Sequence, residues 1–168
     1  MVTIKFPCMG GTYRKKEVAL LSLNITTDYA IRIMMYLANY YDPDPLFAPD
    51  GSCSGKVIAE KMNIPYNYFL KIVPRLKDAG YLISFQGKRG GYVLTTPPEN
   101  ISLFDIIHVM DDDFILNACT APDGCCARNT PGYCAVHYVL SDVQDSIDNT
   151  LKSVNLAQLA TTNETLKK

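Results

Sequence analysis

Two short helical patterns and a hairpin pattern follow one another between Ser54 and Leu94. Ser54 can cap the first helix, and Pro65 suits the first turn of the second helix because the amide hydrogen that it lacks would have no partner there. Gly80 is a typical stop signal for that second helix. Two short helices joined by a tight turn predict a helix-turn-helix.

The hairpin pattern has a glycine-rich middle. Residues 81–85 and 92–94 favour strands, and the six residues between them include three glycines. Lys88 and Arg89 lie at this tip and suit contacts with phosphates or with a narrow minor groove, while Gly90 lets the backbone approach such a surface closely. A plain solvated turn would have the same composition, but the position directly after a helix-turn-helix favours a wing.

Helical patterns flank this motif on both sides. Residues 28–38 have apolar residues at helical spacing, and Thr26 or Thr27 is the expected cap of this first helix. Ser102 is expected to cap a fourth helix that ends near Met110. The motif therefore lies within a helical domain.

A narrow apolar stripe marks the C-terminal part of the chain. From Val136 to Val154 apolar residues recur at steps of three or four, the spacing of one helix face. The stripe could pack on its own domain, but its length and the acidic residues beside it favour the seam of a homodimer. A dimer would present two recognition helices to a two-fold DNA operator.

These patterns predict a mainly α-helical fold with one small β-hairpin, in which a winged helix-turn-helix DNA-binding domain is joined to a long C-terminal dimerisation helix. We expect an N-terminal extension over 1–22, the winged-helix domain over 23–97, a fourth helix and a cysteine loop over 98–133, the dimerisation helix over 134–157 and a tail over 158–168. The extension is expected to be dispensable for DNA binding.

The net charge is −1, but the charges are unevenly distributed. Seven basic residues stand against two acidic ones between Lys56 and Tyr92, and nine acidic residues stand against two basic ones between Glu99 and Leu156. The middle of the chain therefore attracts phosphate and the later part repels it. The asymmetry agrees with DNA binding through the predicted motif, although solvated faces alone could produce it.

Composition narrows the classes of function. With 48% hydrophobic residues the chain can bury an ordinary core. It has neither a run of about 18 apolar residues nor a signal peptide, so we expect a cytoplasmic protein without a membrane partner. The sequence offers no nucleophile with a placed base and no phosphate-binding glycine motif, so an enzyme is not expected.

Four of the six cysteines fall between positions 119 and 134. In a reducing compartment, clustered cysteines are more often metal ligands or reactive thiols than disulfides. Cys134 and His137 are one helical turn apart, so both side chains can face one centre. Thiolates with one imidazole suit zinc and iron–sulfur centres equally, and a metal-free thiol switch is a third possibility.

Several segments together give the chain a resemblance to a known family. They are Asp-Tyr-Ala-Ile-Arg at 28–32, Ile-Ala-Glu-Lys at 58–61, the stretch 64–68, Leu-Lys-Asp-Ala-Gly at 76–80, the glycine motif at 87–92 and the cysteine loop. Residues 23 to 157 resemble the Rrf-type family of bacterial winged-helix transcription regulators, which includes iron–sulfur and nitric-oxide-responsive members. The resemblance implies a homodimeric DNA-binding protein with a long, crossing C-terminal helix.

On the second helix of the motif, Asn67, Tyr68 and Lys71 match the family's base-reading positions. An asparagine can pair with adenine and a lysine can donate to guanine in the major groove. In the competing interpretation Tyr68 packs in the core and Asn67 only serves the turn. Pro74 lies inside this helix and predicts that it is bent or shortened. The predicted DNA-binding residues are Asn67, Tyr68, Lys71, Arg75, Lys88, Arg89 and Gly90.

The family's cluster-bearing members hold a two-iron, two-sulfur cluster through three evenly spaced cysteines and a ligand of another type. Here five residues separate Cys119 from Cys125, but eight separate Cys125 from Cys134. The resemblance favours such a cluster over zinc or no metal. Asp28 matches a carboxylate ligand of the nitric-oxide-responsive members, although an acid in the first turn of a helix is the simpler interpretation. The predicted ligands are Cys119, Cys125, Cys134 and His137, with Cys126 and Asp28 as alternates.

The predicted function is a DNA-binding transcriptional regulator, interpreted as a repressor. Its affinity for a double-stranded DNA operator would be controlled by an iron–sulfur cluster or by the redox state of the cysteine loop. The alternative is a metal-free regulator of the same family that responds to a small molecule, a partner protein or thiol oxidation. Both forms are expected to be homodimers.

Overall fold

The computed structural model describes residues 23–43, 53–87, 90–111, 114–121 and 134–165. The expected N-terminal extension, residues 1–22, lies outside this part of the chain. The described elements, in chain order, are α1 Ile25–Ala38, α2 Gly55–Lys61, α3 Tyr66–Asp78, β1 Leu82–Phe85, β2 Gly91–Leu94, α4 Leu103–Met110, α5 Ala135–Ser153 and α6 Leu156–Thr165, with 3₁₀ turns at Pro98–Asn100 and Ala118–Thr120. The predicted mainly α-helical fold with a small β-hairpin is confirmed.

The chain divides into two compact units. Residues 23–112 and 150–168 belong to one of them, which we call the winged-helix unit, and residues 113–149 belong to the other. Helix α1 is the centre of the winged-helix unit and packs against α3, α4, α6 and β2. Its buried face consists of residues at helical spacing, Ala30, Ile33, Met34 and Leu37.

The cap of α1 differs from the prediction. Asn24 caps the helix, and its Oδ1 accepts a hydrogen bond from the backbone N–H of Thr27 at 2.9 Å. Neither Thr26 nor Thr27 is the cap, because both lie inside the first turn and Thr27 is buried there. Asparagine is among the best N-cap residues, so the helix begins three residues earlier than the apolar spacing indicated.

The turn between α2 and α3 is closed by backbone hydrogen bonds. Asn63 has a φ of 52°, and the Ile64 N–H donates to the Ala59 carbonyl at 2.8 Å, as in a Schellman motif. Asparagine tolerates this left-handed conformation better than most residues. Ile64 is buried, so the turn also contributes to the core.

Helix α3 ends where the sequence predicted. Gly80 has a φ of 80°, and the Tyr81 N–H donates to the Leu76 carbonyl at 3.0 Å, which confirms the glycine stop. Pro74 does not shorten the helix, which continues to Asp78. The buried side chains on both sides of the proline, Val73 and Leu76 among them, hold this turn on the core.

Phe69 joins α3 to α2 and to the hairpin. Its ring is buried and lies edge-on to Tyr92 of β2 at 5.4 Å between centroids. At the start of α2, a Cβ on Gly55 would come within 2.7 Å of the Phe69 Cε1 atom. The close approach of α2 and α3 therefore depends on glycine at this position.

The hairpin follows directly on α3. Its strands are antiparallel, with Leu82 opposite Leu94 and Phe85 opposite Gly91. Lys77 at the end of α3 donates from Nζ to the Ser84 hydroxyl at 2.8 Å. The wing is thus fixed to the last turn of α3 by a side-chain bond as well as by the chain.

Helix α4 has the predicted cap. Ser102 Oγ accepts from the Asp105 N–H at 3.2 Å, and Asp105 Oδ2 accepts from the Ser102 N–H at 2.8 Å, which completes a capping box. At the other end, Arg75 of α3 donates from Nη1 to the Met110 carbonyl at 2.9 Å. A cation at a helix C-terminus is favourable, so Arg75 stabilises the packing of α3 on α4.

The end of the chain corrects the predicted boundaries. Helix α5 ends at Ser153, and residues 158–165, predicted as part of a tail, lie in α6. Asn155 caps α6 because its Oδ1 accepts from the Gln158 N–H at 2.9 Å while Gln158 Oε1 accepts from the Asn155 N–H at 3.0 Å. Leu156 is buried and its N–H donates to the Ile101 carbonyl at 2.8 Å. Helix α6 is therefore part of the core of the winged-helix unit.

No helix among the described residues is long and apolar enough to span a bilayer.

The Asn155→Ala variant is expected to lower the free energy of unfolding by about 1 kcal/mol, because the first turn of α6 loses its cap. Urea unfolding followed by circular dichroism measures the change. Asn149→Ala, at an exposed position of α5, is the matched control and should shift stability by less than about 0.5 kcal/mol. Equal unfolding curves for the two variants would contradict the role of Asn155.

Candidate DNA-binding surface and cysteine loop

The outward face of α3 is a candidate surface for reading DNA. The opposite face of α3 is buried and consists of Phe69, Ile72, Val73 and Leu76. Four exposed residues at steps of three and four form the outward face, which we call the recognition face: Asn67, Leu70, Lys71 and Pro74. Among the described residues the Asn67 amide has no hydrogen-bond partner, so it is not used by the turn.

Tyr68 is held by aromatic and cationic neighbours. Its ring is partly buried and lies edge-on to Tyr29 of α1, with 5.5 Å between centroids. The Lys71 Nζ lies 5.9 Å from the Tyr68 centroid, and the Arg32 guanidinium lies 5.6 Å from the Tyr29 centroid. The ring of Tyr68 therefore packs against α1, as the competing interpretation expected. The cation–π contact with this ring restrains Lys71 beside it.

Asp28 lies at the far end of this contact chain. Its carboxylate forms an ion pair with Arg32, at 2.6 Å between Oδ2 and Nη2. The two residues are one turn apart on α1 and both are partly exposed. Within the described residues Asp28 therefore acts as a first-turn acid with a local partner, which agrees with the simpler of its two interpretations.

Two apolar residues of α3 were missed by the sequence analysis. Leu70 is 53% exposed and lies on the recognition face, and Tyr66 stacks on Phe69 with 5.8 Å between centroids while remaining exposed. Leu70 could have been found from the spacing, because it occupies the side of α3 opposite Ile72 and Leu76. An exposed leucine between polar residues is a candidate for apolar contact with a base.

The wing tip is built on two glycines. The Gly90 N–H donates to the Gly87 carbonyl at 2.9 Å, and Gly87 has a φ of 98°. A Cβ on Gly90 would lie 2.7 Å from the Phe85 carbonyl oxygen, so no other residue fits there without a shift of the backbone. Lys88 and Arg89, the predicted phosphate contacts between these glycines, lie outside the described residues.

Three of the predicted cysteine-loop ligands are described. Cys119 lies in the 3₁₀ turn, Cys134 directly precedes α5, and His137 lies in the first turn of α5. All three are partly exposed, and both cysteines are free thiols. Cys125 and Cys126 lie outside the described residues, and among the described ones no three metal-binding side chains converge. The structure therefore leaves the predicted ligand set untested.

The remaining described cysteine and the second histidine are used elsewhere. Cys53 is buried in the core of the winged-helix unit, and this burial raises the pKa of its thiol to about 11. His108 stacks on Phe104 with 3.7 Å between ring centroids, and its Nδ1 lies 3.0 Å from the Phe104 carbonyl oxygen. Cys53 is therefore not accessible as a ligand, and the His108 ring packs on its own helix.

Helix α5 exposes apolar side chains. Val136, Val139 and Val143 are exposed, at 61%, 61% and 42% respectively. They lie on one face, together with the partly buried Leu140 and Ile147. An apolar stripe of this length on an isolated chain is a candidate contact surface.

The helix-turn-helix, its exposed second helix and the glycine-built wing define the class of a winged-helix DNA-binding protein. A model of the Rrf2 family, described as "Iron-dependent Transcriptional regulator", matches residues 23–162. The chain belongs to this family of transcriptional regulators. The resemblance seen in the sequence is confirmed, and so is the expectation that the protein is not an enzyme, since the relatives are regulators.

Two named relatives show how far the similarity extends. The transcriptional regulator NsrR of Bacillus subtilis (strain 168) is 30% identical over 99 residues, which is 59% of this chain and 63% of that protein. The chain thus spans somewhat less than two thirds of this relative. IscR of Photorhabdus laumondii subsp. laumondii is 26% identical over 138 residues, covering 82% of this chain and 78% of that protein.

Solved structures agree on the fold. CymR, the global cysteine regulator of B. subtilis, superposes with a TM-score of 0.65 at 27% identity and covers 85% of this chain and 98% of its own. IscR of T. potens superposes with a TM-score of 0.66 at 24% identity, covering 88% and 91%, which supports the fold alone. CymR of Staphylococcus aureus, also solved in an oxidized form, is 26% identical.

Proposed function

We propose that this protein is a homodimeric repressor whose affinity for a double-stranded DNA operator depends on the state of the Cys119 to His137 loop. The observation that carries the DNA-binding part is the recognition face, which is exposed, rigidly backed by Phe69 and Leu76, and flanked by basic residues. We place its action in the cytoplasm, where thiols stay reduced.

The recognition face has chemistry that suits the major groove. Asn67 can pair with adenine, Lys71 can donate to guanine, and Leu70 offers an apolar contact for a thymine methyl group. Arg75 uses one donor on Met110 and retains others for a phosphate. Lys88, Arg89 and Gly90 at the wing tip would contact the backbone or the minor groove.

Asn67→Ala should weaken binding to a selected operator by about 1–3 kcal/mol and leave binding to unrelated duplex DNA unchanged, because a lost base contact affects only specific binding. Operators are first selected from a random duplex library with the unmodified protein, and affinities are then measured by fluorescence anisotropy at fixed salt. Asn149→Ala is the control. An equal loss on both DNAs would contradict base reading by Asn67.

The dimer proposal rests on the apolar stripe of α5. A single recognition helix contacts one half-site, and two-fold pairing of α5 would bring two such helices to one operator. The exposed valines of α5 would be buried by a second copy, whereas the acidic residues Asp142 and Asp145 lie off the stripe and remain solvated. The stripe therefore favours a second copy of this chain as the partner.

Val139→Glu combined with Val143→Glu should convert the dimer to a monomer and lower operator affinity, because two carboxylates would be buried in the seam. Sedimentation velocity at micromolar concentration measures the mass. Asn149→Glu adds a charge off the stripe and should leave the dimer intact. A dimer that survives both valine changes would contradict the proposed seam.

The donor set of the loop fits an iron–sulfur cluster. Cys119 and Cys134 are free, partly exposed thiols and His137 is a partly exposed imidazole, which are ligands that soft metals prefer. Cys119, Cys125, Cys134 and His137 would hold a two-iron, two-sulfur cluster, with Cys126 and Asp28 as alternates. Because these four residues come from the loop and from the start of α5, a group held by all four would join the two. The Arg32 ion pair makes Asp28 the weakest candidate.

Anaerobically purified protein should contain near-equal iron and sulfide and absorb broadly in the visible range. Cys119→Ala together with Cys134→Ala should abolish this absorption and the dependence of operator binding on the cluster, while DNA binding itself is retained. Cys53→Ala is the control and should keep the cluster. A colourless, iron-free protein that also resists reconstitution would contradict a cluster, and zinc analysis would then decide between zinc and no metal.

A thiol switch without metal is the second candidate. It is favoured by the free, partly exposed state of Cys119 and Cys134, since exposed thiols react with oxidants far more readily than buried ones. In this case peroxide treatment of iron-free protein should change operator affinity, and thiol reductants should reverse the change.

A further inference from the structure

The buried residue of α5 is a glutamine. Within the described residues, Gln144 is the buried member of this helix, at 7% exposure, while the neighbouring Val143 is exposed. Burying an amide is unfavourable unless its donors and acceptor are satisfied, so an apolar residue would be the simpler choice at such a place. The amide at this position therefore needs a specific explanation.

All hydrogen-bonding groups of Gln144 are used. Its Oε1 accepts from the Leu116 N–H at 2.7 Å, and its Nε2 donates to the Phe114 carbonyl at 3.3 Å and to Asp148 Oδ1 at 2.8 Å. The side chain thus binds the donor and the acceptor of a single short backbone segment. Asp148, one turn further on α5, orients the amide.

This segment leads directly to Cys119. Leu116 is followed by Asn117, whose Oδ1 accepts from the Cys119 N–H at 3.2 Å and whose carbonyl accepts from the Thr120 N–H at 2.9 Å. On α5, Gln144 follows His137 by two turns on the same helix face. One side chain therefore links the backbone before Cys119 to the helix that carries His137.

We propose that Gln144 is the positioning residue of the cysteine loop. It holds the segment that carries Cys119 against α5, the helix that follows Cys134 and carries His137. The inference rests on the proposed function, in which this loop is the sensing site. Gln144 acts through the backbone of residues 114–116 and is not itself a ligand. A methionine would fill a similar volume but could bind neither the Phe114 carbonyl nor the Leu116 N–H.

Alkylation of the three described cysteines tests the proposal on the full chain. Gln144→Met should raise the rate at which iodoacetamide modifies Cys119 on the order of tenfold, because the segment 114–116 that leads into its turn loses both hydrogen bonds to residue 144. The rates at Cys134 and at the buried Cys53, resolved by peptide mass spectrometry, should not change. Asn149→Ala is the matched control on α5 and should leave all three rates unchanged.

A second variant separates positioning from folding. Gln144→Glu keeps the acceptor for the Leu116 N–H, but as a carboxylate it cannot donate to the Phe114 carbonyl and it faces Asp148. This variant should also raise the alkylation rate of Cys119 without raising that of Cys134 or Cys53. If alkylation is accelerated equally at Cys119 and Cys53 in both variants, Gln144 only stabilises the fold. If the alkylation rate at Cys119 is unchanged, Gln144 does not position this residue. Either result overturns the proposal.

Iron content distinguishes this failure from failure of the proposed function. On anaerobic purification, both Gln144 variants should retain less iron per subunit than the control, with an altered visible spectrum. If Cys119→Ala keeps iron and operator response unchanged, the loop is not the sensing site and the proposed function fails. If Cys119→Ala abolishes them while the Gln144 variants keep both, only the positioning role fails.

Discussion

The contact between Phe69 and Gly55 determines where the recognition helix lies. A Cβ at residue 55 would come within 2.7 Å of the Phe69 ring, so α2 and α3 cross at this distance only because the position is glycine. The same ring packs on Tyr92 of β2, which ties the wing to the helix pair. Because Phe69 points inward here, the opposite side of α3, with Asn67 and Lys71, must face outward. Burial of Phe69, together with Ile72, Val73 and Leu76, therefore sets the direction of the whole recognition face.

The parts of the fold that the sequence predicted well are those decided by local backbone chemistry. The Gly80 stop and the Ser102 cap depend on hydrogen bonds between residues a few positions apart. A short stretch of sequence is therefore enough to predict them. Helix α6 was missed although Asn155 and Gln158 form a local capping box, because the apolar spacing continues as far as Val154 and the predicted helix was extended from it to residue 157. The Leu156 bond to the Ile101 carbonyl, which a sequence pattern does not reveal, fixes the break.

The candidate site was predictable in its chemistry and much less in its geometry. Residue type and clustering identified the cysteines, since thiolates bind soft metals, whereas the family resemblance singled out Asn67, whose amide can read a base. Which of these side chains are free to contact a ligand depends on burial, which the sequence does not give. Tyr68, for example, packs on Tyr29 and does not project freely. Gln144 had no signal in the sequence: a polar residue beside an apolar stripe normally faces water, and only its bonds to Phe114 and Leu116 show why it is buried.

Burial also divides the described cysteines into two chemical kinds. Cys53 is enclosed by the core, and with a pKa of about 11 its thiol stays protonated at neutral pH, where the thiolate is the form that binds metals and reacts with oxidants. Cys119 and Cys134 have partly exposed side chains, while their backbones are fixed by the Asn117 side chain and by the first hydrogen bond of α5, from the Tyr138 N–H to the Cys134 carbonyl at 3.2 Å. A fixed backbone with an accessible sulfur is what a ligand or a sensing thiol requires. Among the described cysteines, those with an accessible sulfur therefore lie in the loop, and the one in the winged-helix core is enclosed.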